Sequence, residues 1–142
     1  ALLSPAFALP AAVNSWLGLI AAFRHQIGAC FNIGHGLASA IVMPEVLKWN
    51  FDYAVKQYAA LAILLNLESA SDSDEALAHA FLARVKQLVN DLDLNKKLSA
   101  YIEDKNSLDK IIKPVMNSPC AEVNPRPITS EADIHQILEA VW

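Results

Sequence analysis

The chain has 142 residues, which suits one domain of ordinary size, and 54% of them are hydrophobic. Its formal net charge is −4, and it has no basic stripe with interleaved aromatic residues, which disfavours binding to nucleic acid or to an anionic membrane. The composition therefore predicts a globular protein with ample material for a hydrophobic core and with apolar surface left over for a partner.

The N-terminal part of the chain is uncharged as far as Arg24. Residues 1–23 are long enough to raise the question of a membrane span, but two prolines interrupt them and no basic leader precedes them. We therefore expect one or two buried helices here, with Ser15 as the N-cap of a helix over residues 16–31. A membrane-associated helix bundle is the least favoured alternative.

A turn at Gly34-His35-Gly36 is predicted to end this helix and to open the next one. Small apolar residues follow, and Pro44 is predicted to break the chain before it restarts. Asn50 is then a suitable cap for a helix over residues 51–65. Its apolar residues at helical spacing are Tyr53, Ala54, Val55, Tyr58, Leu61, Ala62 and Leu65.

The second half of the chain begins with a polar link at residues 69–73. A long amphipathic helix follows, with one apolar face made by Leu77, Phe81, Val85, Leu88 and Leu92. Shorter helices are predicted at residues 97–102 and 108–116, and an irregular segment with three prolines at residues 117–127.

The C-terminal helix has the clearest start signal. Ser130 and Asp133 have the spacing of a capping box. The apolar face of the helix is Ile134, Ile137, Leu138 and Val141. Since no useful alternating strand pattern occurs, we expect an all-α, multi-helix fold with residues 1–142 as one helical domain.

The two cysteines, Cys30 and Cys120, are far apart and belong to no CxxC pair. Isolated thiols favour a reducing compartment, so we expect a cytoplasmic protein. A single disulfide between them is the alternative.

The histidines fall into two classes. His79 and His135 lie on amphipathic helices and are expected at the surface. His25 and His35 flank a glycine-rich helix-to-helix turn, and such residues can converge on one point. The alternative is a pair of buried, hydrogen-bonded histidines that fix the turn. The sequence contains no Ser-His-Asp grouping, phosphate-binding Gly-rich loop or paired-carboxylate cleft.

Residues 14–28 (NSWLGLIAAFRHQIG) and 33–50 (IGHGLASAIVMPEVLKWN) resemble a signature of the iron-containing (group III) alcohol dehydrogenases. In that family a histidine-rich helix is followed by a His-Gly turn and then by a helix of small residues. The motif NPRPIT at residues 124–129, with the capped helix after it, resembles the family's C-terminus. The resemblance implies the helical C-terminal half of such enzymes, a dehydroquinate synthase-like α domain.

Family members bind NAD(P) on an N-terminal α/β domain, and their helical domain holds one divalent metal through an aspartate and three histidines. The resemblance therefore implies that the NAD(P)-binding domain, the aspartate and the first histidine lie upstream of residue 1. His35 matches the last metal ligand. His25 matches a histidine that lines the active site near the nicotinamide, which implies a catalytic role. Ala21 occupies the position of the remaining histidine ligand.

By resemblance, the complete parent protein interconverts small alcohols and aldehydes with NAD(P) and a divalent metal, iron or zinc. A catalytic metal needs about three protein ligands, and a methyl group at Ala21 cannot be one. We therefore expect no metal centre and no turnover in the isolated chain. The alternative is a non-catalytic helical binding or oligomerisation module. For the chain alone we expect a homo-oligomer or a partner domain.

Overall fold

The computed structural model describes residues 17–69 and 71–142, and within these ranges the chain is helical and contains no strand. The α-helices are α1 (Gly18–Phe31), α2 (His35–Trp49), α3 (Phe51–Leu64), α4 (Asp74–Asp91), α5 (Asp109–Met116), α6 (Pro119–Glu122) and α7 (Glu131–Val141). Short 3-10 turns occur at Leu98–Ala100 and Lys105–Leu108. The predicted all-α class is confirmed.

The first described helix starts later than predicted. Leu17 is the N-cap residue of α1, and Gly18 begins the helix with a φ of 69°, a conformation that favours glycine. The predicted cap, Ser15, lies outside the described residues. Among the described helices, none is both long and apolar enough to span a bilayer.

A main core joins α1, α2, α5, α6 and α7. Its largest fully buried side chains include Leu19, Phe23, Ile27, Leu98, Ile111, Ile134 and Leu138. All four residues predicted for the apolar face of α7 are buried in it. Burial of this apolar surface is the main favourable contribution to the fold, at about 25 cal/mol per Å².

The predicted capping box at the start of α7 is confirmed. The Asp133 Oδ2 atom accepts hydrogen bonds from the backbone N–H groups of Ser130 (2.9 Å) and Thr129 (2.7 Å). Partial burial acts to raise the pKa of Asp133, but the hydrogen bonds from Thr129 and Ser130 outweigh it and lower the pKa below its ordinary value. The ionised carboxylate therefore fixes the position at which α7 begins.

The predicted break at Pro44 is wrong, because α2 runs without interruption from His35 to Trp49. A proline inside a helix removes a backbone hydrogen bond and costs about 3 kcal/mol. Ile41 before it and Val46 after it are both buried in the main core. Packing on both sides of the proline thus holds the helix together.

Asn50 occupies the predicted N-cap position of α3, but its side chain makes no capping hydrogen bond to the first turn. Its amide instead pairs with the amide of Asn124: Asn124 Nδ2 donates to Asn50 Oδ1 at 2.6 Å, and Asn50 Nδ2 donates to Asn124 Oδ1 at 3.2 Å. The Asn124 Oδ1 atom also accepts from the backbone N–H of Leu19 at 3.3 Å. The Arg126 guanidinium lies 3.6 Å above the ring of Trp49. This asparagine hub (Asn50 and Asn124) joins the start of α1, the α2–α3 junction and the C-terminal segment.

Helices α3 and α4 form a hairpin with a smaller core of its own. Its buried residues are Ala54, Tyr58 and Ala78, and the rings of Tyr58 and Phe81 are 5.4 Å apart. The Tyr58 hydroxyl donates to the backbone carbonyl of Leu47 at 3.2 Å, which links the hairpin to α2.

The apolar faces predicted for the hairpin are only partly right. Leu61 and Leu65 at the end of α3, and Leu88 and Leu92 at the end of α4, are exposed. Helical spacing indicates which side chains share a face, but another element must pack on that face before its residues are buried.

The segment from residue 97 to residue 127 differs from the prediction in two places: its first part is less helical than predicted, and its last part is more helical. The predicted helix over residues 97–102 is a 3-10 turn, while the predicted irregular segment contains α6, whose first turn is capped by Ser118. Cys120 is buried there, Cys30 is exposed on α1, and the two thiols are not bonded. The alternative of a disulfide between them is therefore wrong.

Candidate functional site

The structure brings His25 and His35 together where α1 and α2 meet. His25 lies on α1, His35 is the first residue of α2, and their ring centroids are 5.6 Å apart with an angle of 57° between the planes. The predicted convergence is confirmed. Both side chains are exposed, so the alternative of two buried histidines that fix the turn is wrong.

The turn between the two helices depends on Asn32 and not on a glycine with positive φ. Asn32 has a φ of 54°, and its N–H donates to the Gly28 carbonyl at 3.0 Å. Gly34 is the N-cap residue of α2 and has an ordinary φ of −56°. A Cβ atom at Gly34 or Gly36 would meet nothing within 4 Å. These glycines therefore leave the backbone around His35 open.

Gly28 supports the ring of His35, a role that the sequence analysis missed. A Cβ atom at Gly28 would lie 3.1 Å from His35 Cδ2 and 3.3 Å from His35 Nε2. The missing side chain thus lets the imidazole lie against α1. The sequence contains one signal for this role: a glycine inside a predicted helix. Such a glycine costs about 1 kcal/mol of stability relative to alanine, which indicates that close packing at this position requires it.

Partial desolvation of its ring, the Arg24 charge and the nearby His35 lower the pKa of His25 below its ordinary value. This lowering favours the neutral imidazole, in which one ring nitrogen can accept a proton. His79, whose ring stacks on Phe51 at 4.3 Å, and His135 on α7 are exposed as predicted and belong to neither helix of this site.

The residues of the site do not fit a divalent metal. Ala21 is only 2% exposed and packs in the main core, and no group of three or more His, Cys, Asp or Glu side chains suited to a metal occurs within residues 17–69 and 71–142. Two imidazoles fall short of about three protein ligands. The positive charge of Arg24 near His25 further opposes a cation.

Comparisons with known proteins agree with this architecture. Residues 3–142 match the model of the Fe-containing alcohol dehydrogenase family, C-terminal. A solved structure of 1,3-propanediol oxidoreductase superposes with a TM-score of 0.82 at 23% identity, covering 89% of this chain and 33% of the other. That level of identity establishes the similarity of the fold.

Two curated relatives extend the comparison. The NADPH-dependent butanol dehydrogenase of Clostridium saccharobutylicum is 31% identical over 133 residues, and the lactaldehyde reductase of Escherichia coli K12 is 28% identical over 129 residues. Each alignment covers 91% of this chain and 34% of the relative, so the chain spans about a third of their length. From its family match and these relatives, the chain belongs to the Fe-containing alcohol dehydrogenase family and corresponds to its helical C-terminal domain.

Proposed function

We propose that this chain, taken as one helical domain over residues 1–142, forms the helical side of an active site in a longer NAD(P)-dependent oxidoreductase. The reaction is the interconversion of a small alcohol and an aldehyde. The supporting observation is the convergence of His25 and His35, 5.6 Å apart, on an open surface. The names of the two relatives, a butanol dehydrogenase and a lactaldehyde reductase, support this substrate class.

In this proposal His25 is the catalytic residue of the chain. Its imidazole would accept the proton of the alcohol hydroxyl, and bound NAD(P) would supply the acceptor for the hydride from the alcohol carbon. The NAD(P) cofactor binds outside this chain, and Gly28 keeps the His35 ring against α1 next to His25.

His35 holds the position of one metal ligand of the family. Because the donors of this chain do not fit a divalent metal, no step of the proposed reaction passes through iron or zinc here. Any iron or zinc in the longer protein needs its other donors from outside the described residues.

Replacement of His25 in the longer protein tests its catalytic role. His25→Ala should lower kcat/KM for NADP⁺-dependent butanol oxidation by about 10² or more, since general base catalysis contributes roughly 10²–10⁴. The matched control is His135→Ala, which removes an exposed histidine of α7 and should leave the activity unchanged. Equal activity of His25→Ala and the wild type would refute the role. The 142-residue chain alone should show no turnover.

A second candidate is a non-catalytic helical module that binds a partner or a second copy of itself. The observation that favours it is the exposed apolar end of α3, where Ile63, Leu64 and Leu65 are 60%, 77% and 54% exposed. Such patches mark interaction surfaces. Under this candidate the chain sediments as a homo-oligomer, and Leu64→Ser with Leu65→Ser shifts it to the monomer. A wild-type monomer at all concentrations would exclude self-association.

Because its two cysteines are not joined in a disulfide, we propose that the protein is located in the cytoplasm.

A further inference from the structure

Exposed apolar side chains are concentrated at the end of α3. Ten large hydrophobic residues are exposed in the part of the chain that the structure describes, and four of them lie within five consecutive positions: Leu61, Ile63, Leu64 and Leu65. Leu64 is 77% exposed, more than any other of the ten. Single exposed apolar residues are ordinary on a protein surface, but a contiguous patch marks an interaction surface.

The turn that follows α3 does not account for this patch. Asn66 has a φ of 49°, and the Leu67 N–H donates to the Ala62 carbonyl at 3.0 Å, which closes the helix. Leu67 is partly buried, whereas the side chains of Leu64 and Leu65 are exposed. The turn is therefore made without the two exposed leucines.

The same end of the hairpin is acidic. Between Lys56 and Arg84 the sequence has no lysine or arginine, but it has four carboxylates: Glu68, Asp72, Asp74 and Glu75. All four are exposed, and none takes part in the ion pairs found within residues 17–69 and 71–142. Asp74 and Glu75 lie in the first turn of α4, where they interact favourably with the helix dipole. Glu68 and Asp72 lie outside this helix, so the dipole does not account for them.

The packing of α3 on α4 brings the leucines and the carboxylates to one end of the hairpin. The rings of Tyr58 and Phe81 are 5.4 Å apart, and Ala78 packs in the same small core. Because a short link joins the two helices, the last turn of α3 and the first turn of α4 lie at the same end. We call this end the hairpin tip; it consists of Leu61, Ile63, Leu64, Leu65 and the four carboxylates.

A groove along α4 begins at the hairpin tip. Glu68 and Glu75 line it together with His79 and three alanines, Ala76, Ala80 and Ala83. The distance at which two helices pack depends on the side chains between them, so a row of alanines permits a close approach. The groove can therefore accept the side of another helix.

A partner for the hairpin tip has to supply apolar surface and positive charge together. An amphipathic helix whose apolar stripe is bordered by lysine or arginine meets both requirements, and such helices bind to apolar surfaces through residues at helical spacing. A second copy of the tip does not fit, because it would set four carboxylates against four. Residues 1–16 do not fit either, because they contain no basic residue.

We propose that the hairpin tip is a docking surface for a basic amphipathic helix of a partner protein. The apolar residues of the tip contact the apolar stripe, and its carboxylates pair with the flanking basic residues. His25 and His35 lie on α1 and α2, so the partner binds outside the histidine pair. The inference goes beyond the proposed oxidoreductase function and does not rest on it, and it gives the second candidate function a partner other than a second copy.

Two synthetic peptides of about five helical turns test the proposal on the 142-residue chain. Both have the same leucine stripe, and the remaining positions are lysine in one peptide and glutamate in the other. Fluorescence anisotropy at pH 7 should show saturable binding of the lysine peptide, which weakens as the ionic strength rises, and no binding of the glutamate peptide. Absence of lysine-peptide binding, or equal binding of both peptides, overturns the proposal.

Paired leucine variants show whether the lysine peptide binds at the tip. Leu64→Ser with Leu65→Ser should weaken binding by about 10-fold or more, because apolar surface is lost from the contact. The matched control is Leu88→Ser with Leu92→Ser, which changes two exposed leucines outside the tip and should bind as the wild type does. Circular dichroism checks that each variant is folded. Equal affinities of the two folded variants would place the peptide elsewhere and overturn the proposal.

A second pair of variants isolates the charge. Glu68→Gln with Glu75→Gln should weaken binding by about 2- to 10-fold at low ionic strength, since exposed ion pairs are individually weak. Glu103→Gln with Glu122→Gln removes the same charge from exposed positions outside the hairpin and should leave the affinity unchanged. If both pairs weaken binding equally, the attraction is to the net charge of the chain, and the docking surface is refuted.

Sedimentation of the chain without peptide tests the other occupant. A dimer that Leu64→Ser with Leu65→Ser abolishes would place a second copy on the tip and overturn the proposal. A monomer, or an oligomer that this variant leaves intact, supports a tip that is free for the partner helix. None of these measurements involves turnover, so failure of the docking surface and failure of the proposed oxidoreductase function are distinguishable.

Discussion

The bundle of α1, α2 and α5–α7 and the α3–α4 hairpin differ in how many neighbouring elements cover their apolar side chains. The main core buries large side chains of α1, α2, α5 and α7, whereas the smaller core of the hairpin consists of Ala54, Tyr58 and Ala78, and leucines at the end of the hairpin are exposed. Local stability follows buried contacts. The hairpin should therefore open more readily than the bundle, and its apolar end is free for another surface.

The largest expected effect comes from a matched pair of leucines, one in each region. Leu138→Ala removes a side chain that is 2% exposed in the main core and should lower the free energy of unfolding by about 2–5 kcal/mol. Leu64→Ala removes one that is 77% exposed at the hairpin end and should change it by less than about 0.5 kcal/mol. Urea unfolding measures both. Similar losses for the two variants would mean that Leu64 is covered in solution.

A smaller effect is expected from the asparagine hub, which belongs to the bundle. Asn124→Ala leaves the Leu19 N–H and the Asn50 amide without their buried partner, and it should lower the free energy of unfolding by about 2–3 kcal/mol. The exposed Asn106→Ala is the control and should behave as the wild type does. If thermal melting of Asn124→Ala matched that of the control, the hub would contribute nothing to the bundle.

The smallest effect concerns the link between the hairpin and the bundle. Burial raises the pKa of Tyr58 to about 12, although the side chain of Asn50 acts to lower it. Tyr58→Phe loses the hydrogen bond to the Leu47 carbonyl and should cost about 1 kcal/mol near neutral pH.

The pH dependence of Tyr58 has a definite sign. Its neutral form is favoured in the folded state, so the contribution is fully present below the ordinary pKa near 10 and is lost as the pH rises to about 12. The advantage of the wild type over Tyr58→Phe should shrink across that window in urea unfolding. A constant difference from pH 9 to 12 would contradict this account of burial.

Local signals in the sequence were sufficient for part of the fold. The capping box and apolar face predicted α7 correctly, because all the partners of this signal lie within a few residues. The prediction of a helix break at Pro44 was wrong because packing from segments distant in the sequence holds α2 together, and local signals do not show this packing. The exposure of the leucines at the end of the hairpin could not be predicted from helical periodicity either. Whether a helix face is buried depends on whether another element packs on it.

The candidate site shows the same division. His25, His35 and the substitution at Ala21 were identified from the motif, and the turn between the helices was expected. The support of the His35 ring by Gly28 depends on the approach of α2 to α1, which the sequence does not specify. The residues of the histidine pair were therefore predictable from the sequence, but the packing that holds the His35 ring was not.

The hydrogen bond between the Leu19 N–H and Asn124 joins residues 105 positions apart, which affects how the protein is made. At roughly 5–20 residues per second, a ribosome needs on the order of 5–20 s to extend the nascent chain from one partner to the other. During that time the first turn of α1 lacks its acceptor. A transcript truncated before the codon for Asn124 would yield a product whose α1 never acquires this acceptor, and cellular proteases should remove that product quickly.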